Sequence, residues 1–433
     1  MASTVLTRTP SSNGSQRIMT FSAWLKKSFS SGGGTFFSTG SNGNNVFALY
    51  FTGQEKLQIE YYNGSTNYFL RTNRVFRDTS AWYHVVLVLD TTDATESNRM
   101  RIYVNGVEET SFDAAFYPTQ NFDVQYLNST SYQNNVGNYN GASFFNGILS
   151  HVHFIDGTIY TPSAFGEYDA NGVWKIKTDV SVTYGTNGFF ILKDGNSVTD
   201  QSGNGNNFTV AGGTLTNTED SPSNVFATWN ALVSYPTYPN SFTNGNTTIT
   251  ANANASFGST SPATIGVSSG KYYFEFKVTS STINNSSIGM CKADMNFNYA
   301  SDAYPYNSSL GNNGIHYLGQ GDIYVNGTSA GNQGAWTQND IIGLAVDLDN
   351  GNIAFTKNGS AVYTSSNGSL ISGQEYTPAF YGYDSLTGNT NFGNGYFGTT
   401  AVASAGTNAS DNGIFEYDVP TGYTALSTKG LNL

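Results

Sequence analysis

Cysteine is almost absent from this chain of 433 residues. Cys291 is the only one in the sequence, so no disulfide can form within the chain, and its apolar neighbours at 288–290 predict a small buried side chain. Residues 1–8 lack the apolar core of a secretory signal peptide. These two features predict synthesis and folding in a reducing cytoplasm.

Charged residues and long apolar runs are also scarce. Charged side chains make up 11% of the sequence, and 18 basic residues stand against 30 acidic ones, which gives a net charge of −12. Thinly spread basic residues cannot neutralise a phosphate backbone, so we expect no nucleic-acid partner. No stretch is long and apolar enough to span a bilayer, so we expect no membrane insertion.

Helix-favouring residues are sparse as well, whereas turn and strand formers abound. The chain contains 48 glycines, 29 tyrosines and 29 phenylalanines. Glycine and asparagine supply turns, and aromatic and β-branched residues suit the half-buried faces of strands. This composition argues against a helical protein and predicts an all-β fold. The length accommodates two sandwiches of roughly 200 residues each.

One sequence pattern occurs twice. Residues 82–106 and 336–359 each begin with Trp, continue through an apolar run that ends in Asp, and close a second strand with Asn-Gly. The closing pairs are Asn105-Gly106 and Asn358-Gly359, and Asn-Gly tolerates the positive φ of a type I′ hairpin turn. The repeat predicts two tandem antiparallel β-sandwiches.

Changes of pattern along the chain predict three segments. Residues 1–177 form a first sandwich of short, often alternating strands. Residues 178–246 form a connector with short strands of its own, and residues 247–433 form a second sandwich. Thr161 and Pro162 fit the N-cap and first position of one short helix.

The first segment resembles the laminin-G-like, concanavalin-A-like jelly rolls. The resemblance is carried by Phe21-Ser22-Ala23-Trp24-Leu25, by residues 82–85 leading to 102–106, and by the late strand 147–152. It implies a jelly roll of two antiparallel sheets. The family has an acidic pair where this chain has Ser150 and His151, so its calcium role does not carry over to those positions.

The second segment resembles the SPRY fold, another sandwich of two sheets. Residues 270–275 and 342–351 look like its two signature strands, and residues 355–359 and 378–380 continue the match in the same order.

The whole chain resembles tail and capsid-associated proteins of marine bacteriophages. The blocks that carry this resemblance are 8–11 followed by 20–24, then 200–207, 220–224, 391–393 and 420–429. The resemblance implies a virion fibre, appendage or capsid decoration, made in the cytoplasm of a host bacterium and released by lysis. Its expected partners are other virion proteins and further copies of itself, with a trimer by analogy.

Glycan binding needs aromatic faces for the sugar rings and amides for the hydroxyls, and two clusters offer both. A host-surface glycan is therefore an expected partner, although abundant tyrosines also pack loops together. The candidates are Tyr299, Tyr304, Tyr306, Asn307 and Tyr317 in the second sandwich, and Tyr132, Asn134, Asn135 and Tyr139 in the first.

No cofactor is expected, with calcium as the alternative at one turn. Asp194 and Asp200 frame a segment rich in oxygen ligands, which makes them the metal candidates. A second acidic turn, at 347–350, is explained by a hairpin between two strands. His151 and His153 alternate on a strand and would share a face, but no third ligand is evident near them.

The sequence predicts no enzyme. Glycosidases of this fold place two carboxylates close together, about 5 Å apart in retaining enzymes, whereas Glu275 has no acid at alternate positions of its strand. A non-enzymatic virion structural protein that presents loops to a host surface is the favoured interpretation. A free lectin-like protein is the alternative, and a polysaccharide depolymerase is disfavoured by the missing acid pair.

Overall fold

The computed structural model describes residues 4–28, 33–139, 141–193, 197–233, 237–252, 258–283, 286–297, 314–382 and 384–433. The fold is all-β, and the chain divides into two compact units, Met1–Asn217 and Thr218–Leu433. The predicted tandem of antiparallel β-sandwiches is confirmed. In the described part of the chain, no helix is long and apolar enough to cross a membrane.

The described strands of the first unit lie between Val5 and Gly212. They are β1 (Val5–Arg8), β2 (Ile18–Lys27), β3 (Gly34–Asn42), β4 (Asn45–Phe51), β5 (Lys56–Tyr62), β6 (Asn67–Val75), β7 (Trp82–Asp90), β8 (Met100–Val104), β9 (Val107–Glu108), β10 (Phe112–Phe116), β11 (Asn134–Val136), β12 (Gly147–Asp156), β13 (Gly166–Tyr168), β14 (Trp174–Ile176), β15 (Phe189–Ile191) and β16 (Thr209–Gly212). Two 3₁₀ helices, Glu96–Asn98 and Pro162–Ala164, lie between strands, and the second matches the predicted short helix.

Fourteen of these strands form two sheets that face each other, and β13 and β14 pair in a separate hairpin. One has eight strands in the order β10-β6-β5-β4-β3-β11-β1-β16, and the other has six in the order β15-β12-β2-β7-β8-β9. Alternation sets which side chains enter the core: Phe47 and Leu49 of β4 and Ile59 of β5 are fully buried between the sheets. Their neighbours in each strand point to the opposite face of the eight-stranded sheet.

The outer face of the six-stranded sheet is covered by chain that follows β12. Phe165 packs there against Val86 and Tyr103 in a small second core. Trp174 of the β13–β14 hairpin donates its Nε1–H to Nδ1 of the buried His84, at 3.0 Å. This cover explains why β2 and β7 are buried on both faces.

The described strands of the second unit are β17 (Ser241–Thr243), β18 (Thr248–Thr250), β19 (Ser259–Pro262), β20 (Lys271–Val278), β21 (Ser287–Lys292), β22 (Ile315–Leu318), β23 (Asp322–Val325), β24 (Thr328–Asn332), β25 (Ile341–Asp347), β26 (Asn352–Lys357), β27 (Ser360–Thr364), β28 (Tyr376–Gly382), β29 (Thr387–Asn391), β30 (Tyr396–Phe397), β31 (Thr400–Ala401) and β32 (Thr424–Ala425), followed by a 3₁₀ helix at Gly430–Asn432. Fourteen of these strands likewise build two sheets, and β30 and β31 pair separately.

One sheet of the second unit runs β17-β18-β29-β20-β25-β26-β27, with β32 beside β20, and the other runs β19-β28-β21-β22-β23-β24. Trp229, Phe276 and Phe380 lie in the core between them. The C-terminal segment, residues 402–433, packs on the outer face of the first sheet, where Phe415 contacts Tyr273.

The predicted connector at 178–246 is not a separate segment. Its first part belongs to the first unit, since β15 pairs with β12 and β16 pairs with β1. Its last part belongs to the second unit, where Trp229 is fully buried. The unit boundary at 217–218 therefore falls inside the predicted connector.

The repeated hairpin has the same hydrogen bonds in both units. Asn105 accepts the His84 N–H on its side chain at 2.8 Å and donates its own N–H to the His84 carbonyl at 2.8 Å. Asn358 makes the same pair of bonds with Ile341, also at 2.8 Å each. Both asparagines have positive φ, as a type I′ turn requires.

Candidate ligand-binding site

A pocket lies on the outer face of the eight-stranded sheet in the first unit. Its volume is about 340 Å³, within the usual range of small-molecule sites. Strands β3, β4 and β5 supply its floor and one wall, and the hairpin that follows β11 supplies the opposite wall. The residues that matter chemically are Ala48, Tyr50, Glu60, Tyr62, Tyr139 and Ser143.

Strand alternation and register bring these side chains together. In the pairing of β4 with β5, Tyr50 lies opposite Gln58, Ala48 opposite Glu60, and Val46 opposite Tyr62. Ala48 is small, so it leaves room above the sheet. In both strands, side chains that enter the core therefore alternate with side chains that face the pocket.

Glu60 is the only charged residue among the described residues that line the pocket. Its Oε2 accepts the hydroxyl of Tyr50 at 2.6 Å and the amide of Gln58 at 3.3 Å, while Gln58 also donates to the Tyr50 hydroxyl at 2.6 Å. In the described part of the chain, its Oε1 has no hydrogen-bond donor. Burial and the Glu60 carboxylate raise the pKa of Tyr50 far above its usual value, so Tyr50 remains a donor.

Tyr139 closes the pocket from the side opposite β5. It begins a tight turn in which Tyr139 and Ala142 exchange backbone hydrogen bonds at 2.8 and 2.7 Å. Its hydroxyl donates to the carbonyl of Asn42, which ties the hairpin to the turn between β3 and β4. Burial, with the nearby Glu60 and Tyr126, raises the pKa of Tyr139 to about 12.

The arrangement is suited to binding a ligand. A carboxylate with one unengaged oxygen accepts hydrogen bonds from a ligand, and tyrosine rings offer apolar faces. A retaining glycosidase needs a second carboxylate about 5 Å away, and the described lining of this pocket contains none.

Of the ligand-binding candidates in the first unit, Tyr139 alone lines the pocket. Asn134 and Asn135 are buried in β11, and neither belongs to the lining. Tyr132 is half-buried and packs edge-on against Tyr126, with ring centroids 5.0 Å apart. The sequence therefore pointed to Tyr139 but not to the strands that its hairpin faces.

The candidates in the second unit do not form a described site. Tyr299, Tyr304, Tyr306 and Asn307 lie outside the described residues. Tyr317 was a glycan-binding candidate, and that expectation is corrected, since Tyr317 lies in β22 and is fully buried. Its hydroxyl donates to the Gly334 carbonyl at 2.6 Å, and its ring packs edge-on against Trp336.

Asp200 organises a turn. Its carboxylate accepts the N–H groups of Phe190, Ser202 and Asn206 at 2.8 to 2.9 Å, and the Ser202 hydroxyl at 2.7 Å. Those donors occupy the oxygens that a calcium ion would need. The other metal candidate, Asp194, lies outside the described residues.

The remaining acidic and histidine positions also have structural partners. Asp347 accepts from the backbone and side chain of Asn350 at 3.0 and 2.8 Å and pairs with Lys271 at 3.0 Å, as the hairpin interpretation predicts. His151 has a φ of 49° in a bulge of β12, while His153 is buried against Phe190, with ring centroids 3.9 Å apart. Among the described residues, no group of three or more His, Cys, Asp and Glu side chains could hold a metal ion.

Both units match known domain families. Residues 3–163 match the laminin G family model of the concanavalin A-like lectin/glucanases superfamily, and residues 271–395 match the SPRY domain. The chain contains a laminin-G-like domain followed by a SPRY domain. The pocket therefore belongs to the laminin-G-like domain, and the C-terminal segment packs on the SPRY domain.

Two solved structures are similar to part of this chain. The SPRY domain of human HERC1 is 19% identical over 37% of this chain and 96% of its own, with a TM-score of 0.31. The PSpry domain of TRIM65 is 12% identical over 38% of this chain and 91% of its own, with a TM-score of 0.30. No curated protein sequence matches the chain.

Sequence reasoning missed Tyr50, Glu60 and Tyr62. A signal was present in residues 57–62, where Gln58, Glu60 and Tyr62 alternate with side chains that enter the core. Such alternation marks a face that leaves the core. It does not show that another hairpin will fold over that face.

Proposed function

We propose that the protein is a non-enzymatic virion structural protein, a fibre, appendage or capsid decoration, whose laminin-G-like domain binds a host-surface glycan. The observation that carries the binding role is the pocket between Glu60 and Tyr139. It combines an available carboxylate oxygen with aromatic walls on a rigid sheet. Ligand sites of proteins commonly combine a few placed polar groups with aromatic surface in this way.

The assignment to a virion rests on the sequence blocks that resemble bacteriophage tail and capsid proteins. Two of those blocks have a clear structural purpose: residues 200–207 form the turn organised by Asp200, and residues 420–429 belong to the C-terminal segment. A chain with a single, buried cysteine is also suited to assembly in a reducing cytoplasm. We propose that it assembles as a homo-oligomer with other virion proteins, with a trimer by analogy to fibres.

The binding role is tested with the purified full-length protein and cells of a candidate host. Tyr62→Ala and Tyr139→Ala remove pocket walls and should each lower the bound amount at least ten-fold. Tyr168→Ala is the matched control, because Tyr168 is an exposed tyrosine of the same domain outside the pocket lining. Equal binding by all four proteins would reject the pocket as the receptor site.

The virion assignment has its own test. Mass spectrometry of purified phage particles should find the protein at a fixed copy number per particle. Its absence from particles, together with glycan binding by the free protein, would favour the lectin alternative. Release of reducing sugars from host polysaccharide would favour a depolymerase, which the single carboxylate of the pocket lining disfavours.

A further inference from the structure

We propose that the pocket of the laminin-G-like domain selects ligands that carry a positively charged ammonium group. The inference rests on the proposed function, because it takes the same pocket as the ligand site and names the chemical group that the pocket binds. The observation behind it is the position of Glu60 among three tyrosines, Tyr50, Tyr62 and Tyr139, in one cavity.

The hydroxyls of these tyrosines are already used within the protein. Tyr50 donates to Glu60 at 2.6 Å, Tyr62 donates to the Gly64 carbonyl at 3.2 Å, and Tyr139 donates to the Asn42 carbonyl. The rings, rather than the O–H groups, therefore remain for a ligand. The faces of aromatic rings carry negative potential and attract cations within about 6 Å of the ring centre.

The carboxylate of Glu60 supplies the matching charge. Tyr50 and Gln58 both donate to Oε2, which fixes the group and leaves Oε1 without a donor in the described part of the chain. Glu60 accepts hydrogen bonds and does not donate them when ionised. A primary ammonium group donates hydrogen bonds and is positive, so it complements the carboxylate better than a neutral hydroxyl does. A quaternary ammonium group offers the positive charge alone, and an anionic sugar would be repelled.

Two basic side chains near the pocket share an acidic partner outside its lining, although the charge of one of them, Arg71, opposes the rise in the pKa of Tyr50. Arg71 and Lys56 both pair with Asp113, at 2.7 and 3.3 Å, and the Arg71 guanidinium lies over the Phe69 ring at 5.6 Å. Neither Arg71 nor Lys56 lines the cavity. The positive charge that would pair with Glu60 inside the pocket is thus left for the ligand to bring.

An ammonium group on a host surface has two chemical sources, an amino sugar or a choline-type head group. Isothermal titration of the full-length protein with glucosamine, N-acetylglucosamine and choline separates them. Glucosamine should bind at least ten-fold more tightly than N-acetylglucosamine, which has the same ring without the charge. Choline binding as tight as glucosamine would assign the site to head groups, and weaker choline binding would assign it to amino sugars.

Glu60→Gln tests the carboxylate, because it keeps the shape and removes the charge. The variant should lose the preference for glucosamine over N-acetylglucosamine, whereas Glu108→Gln, at an exposed glutamate of β9, should keep it. Tyr139→Phe, which keeps the ring, and Tyr139→Leu, which removes it, provide a second pair should Glu60→Gln unfold. The phenylalanine variant should retain glucosamine binding and the leucine variant should lose at least ten-fold.

Equal affinity for the two sugars, or a preference that survives Glu60→Gln, would overturn the ammonium inference. Neither result would contradict the proposed function, which is tested separately by cell binding of the Tyr62 and Tyr139 variants. A pocket that binds host cells but ignores charge would be a site for neutral glycans.

Discussion

At the scale of single residues, Glu275 shows how burial changes the pKa of a carboxyl group. It lies on the outer face of β20 beneath the C-terminal segment and is fully buried. Its oxygens accept the N–H groups of Glu416 and Tyr417 at 2.9 Å each, the amide of Asn391 at 3.2 Å and the hydroxyl of Tyr273 at 3.2 Å. It therefore anchors that segment rather than forming part of an active site.

Glu275 should make the SPRY domain lose stability as pH rises. Burial raises its pKa to about 7 against the effect of the four donors, whereas its ordinary value is 4.5. A raised carboxyl pKa contributes stability below pH 4.5 that is lost as pH rises through 7, about 3 kcal/mol in total. Urea unfolding of the wild type and Glu275→Gln from pH 4.5 to 8 should show the two curves diverging. Parallel curves would show that Glu275 has no raised pKa.

His84 should have the opposite effect in the laminin-G-like domain. Its Nδ1 accepts from Trp174, so its Nε2 carries the proton and donates to the Ser22 hydroxyl at 2.9 Å. Burial lowers the pKa of His84 to about 3, so its contribution to stability is lost as pH falls from about 6.5 toward 3. His84→Phe should flatten the acid side of the stability profile. An acid side that is unchanged in His84→Phe would show that His84 does not cause the loss of stability at low pH.

At the scale of elements, the repeated hairpin is the part of the fold that sequence defines best. Asn-Gly pairs predicted both turns. The segments that pack on the outer faces of the sheets could not be predicted in the same way. Gly106 lies against the Trp174 ring and Gly359 against the Tyr417 ring, and nothing local in the sequence links residues so far apart.

The ring contact at Gly359 can be separated from the turn itself. Gly359 and Gly368 both have a φ of 77°, but a Cβ at Gly359 would lie 2.6 Å from the Tyr417 ring, and a Cβ at Gly368 would meet nothing within 4 Å. Both alanine variants carry the cost of a left-handed conformation, about 1 kcal/mol. Gly359→Ala should cost a further 1–3 kcal/mol, roughly that of an overpacked contact. Thermal unfolding of the two variants measures the difference, and equal losses would show that the ring moves aside freely.

Only part of the candidate site could be predicted from the sequence, because a sequence does not show which distant segments pack together. Tyr139 stood out as an aromatic residue in a polar loop, whereas Glu60 is an ordinary outward residue until its neighbours are known. A strand sequence shows which face leaves the core but not which distant loop covers that face. Tyr317 illustrates the reverse error, because its polar surroundings in sequence concealed a strand that enters the core.

At the scale of the whole molecule, the domain boundary decides what folds alone. Phe189 and Ile191 of β15 and the nearby Phe208 are buried in the laminin-G-like core, although all three follow residue 177. A fragment of residues 1–217 keeps them, and a fragment of residues 1–177 loses them together with two strands. Each fully buried apolar side chain contributes about 1.5–3 kcal/mol, so the loss approaches the whole stability of a typical domain.

We therefore expect residues 1–217 to fold cooperatively and residues 1–177 to remain unfolded or aggregate. Circular dichroism melting curves and dispersed amide resonances distinguish the two outcomes. Residues 218–433, which retain the buried Trp229, serve as the matched fragment for the SPRY domain and should also fold. A cooperative transition in residues 1–177 at the same temperature as in 1–217 would place the end of the first domain at residue 177, as the sequence pattern predicted. In that case, β15 and β16 would be accessory strands added to a domain that is complete without them.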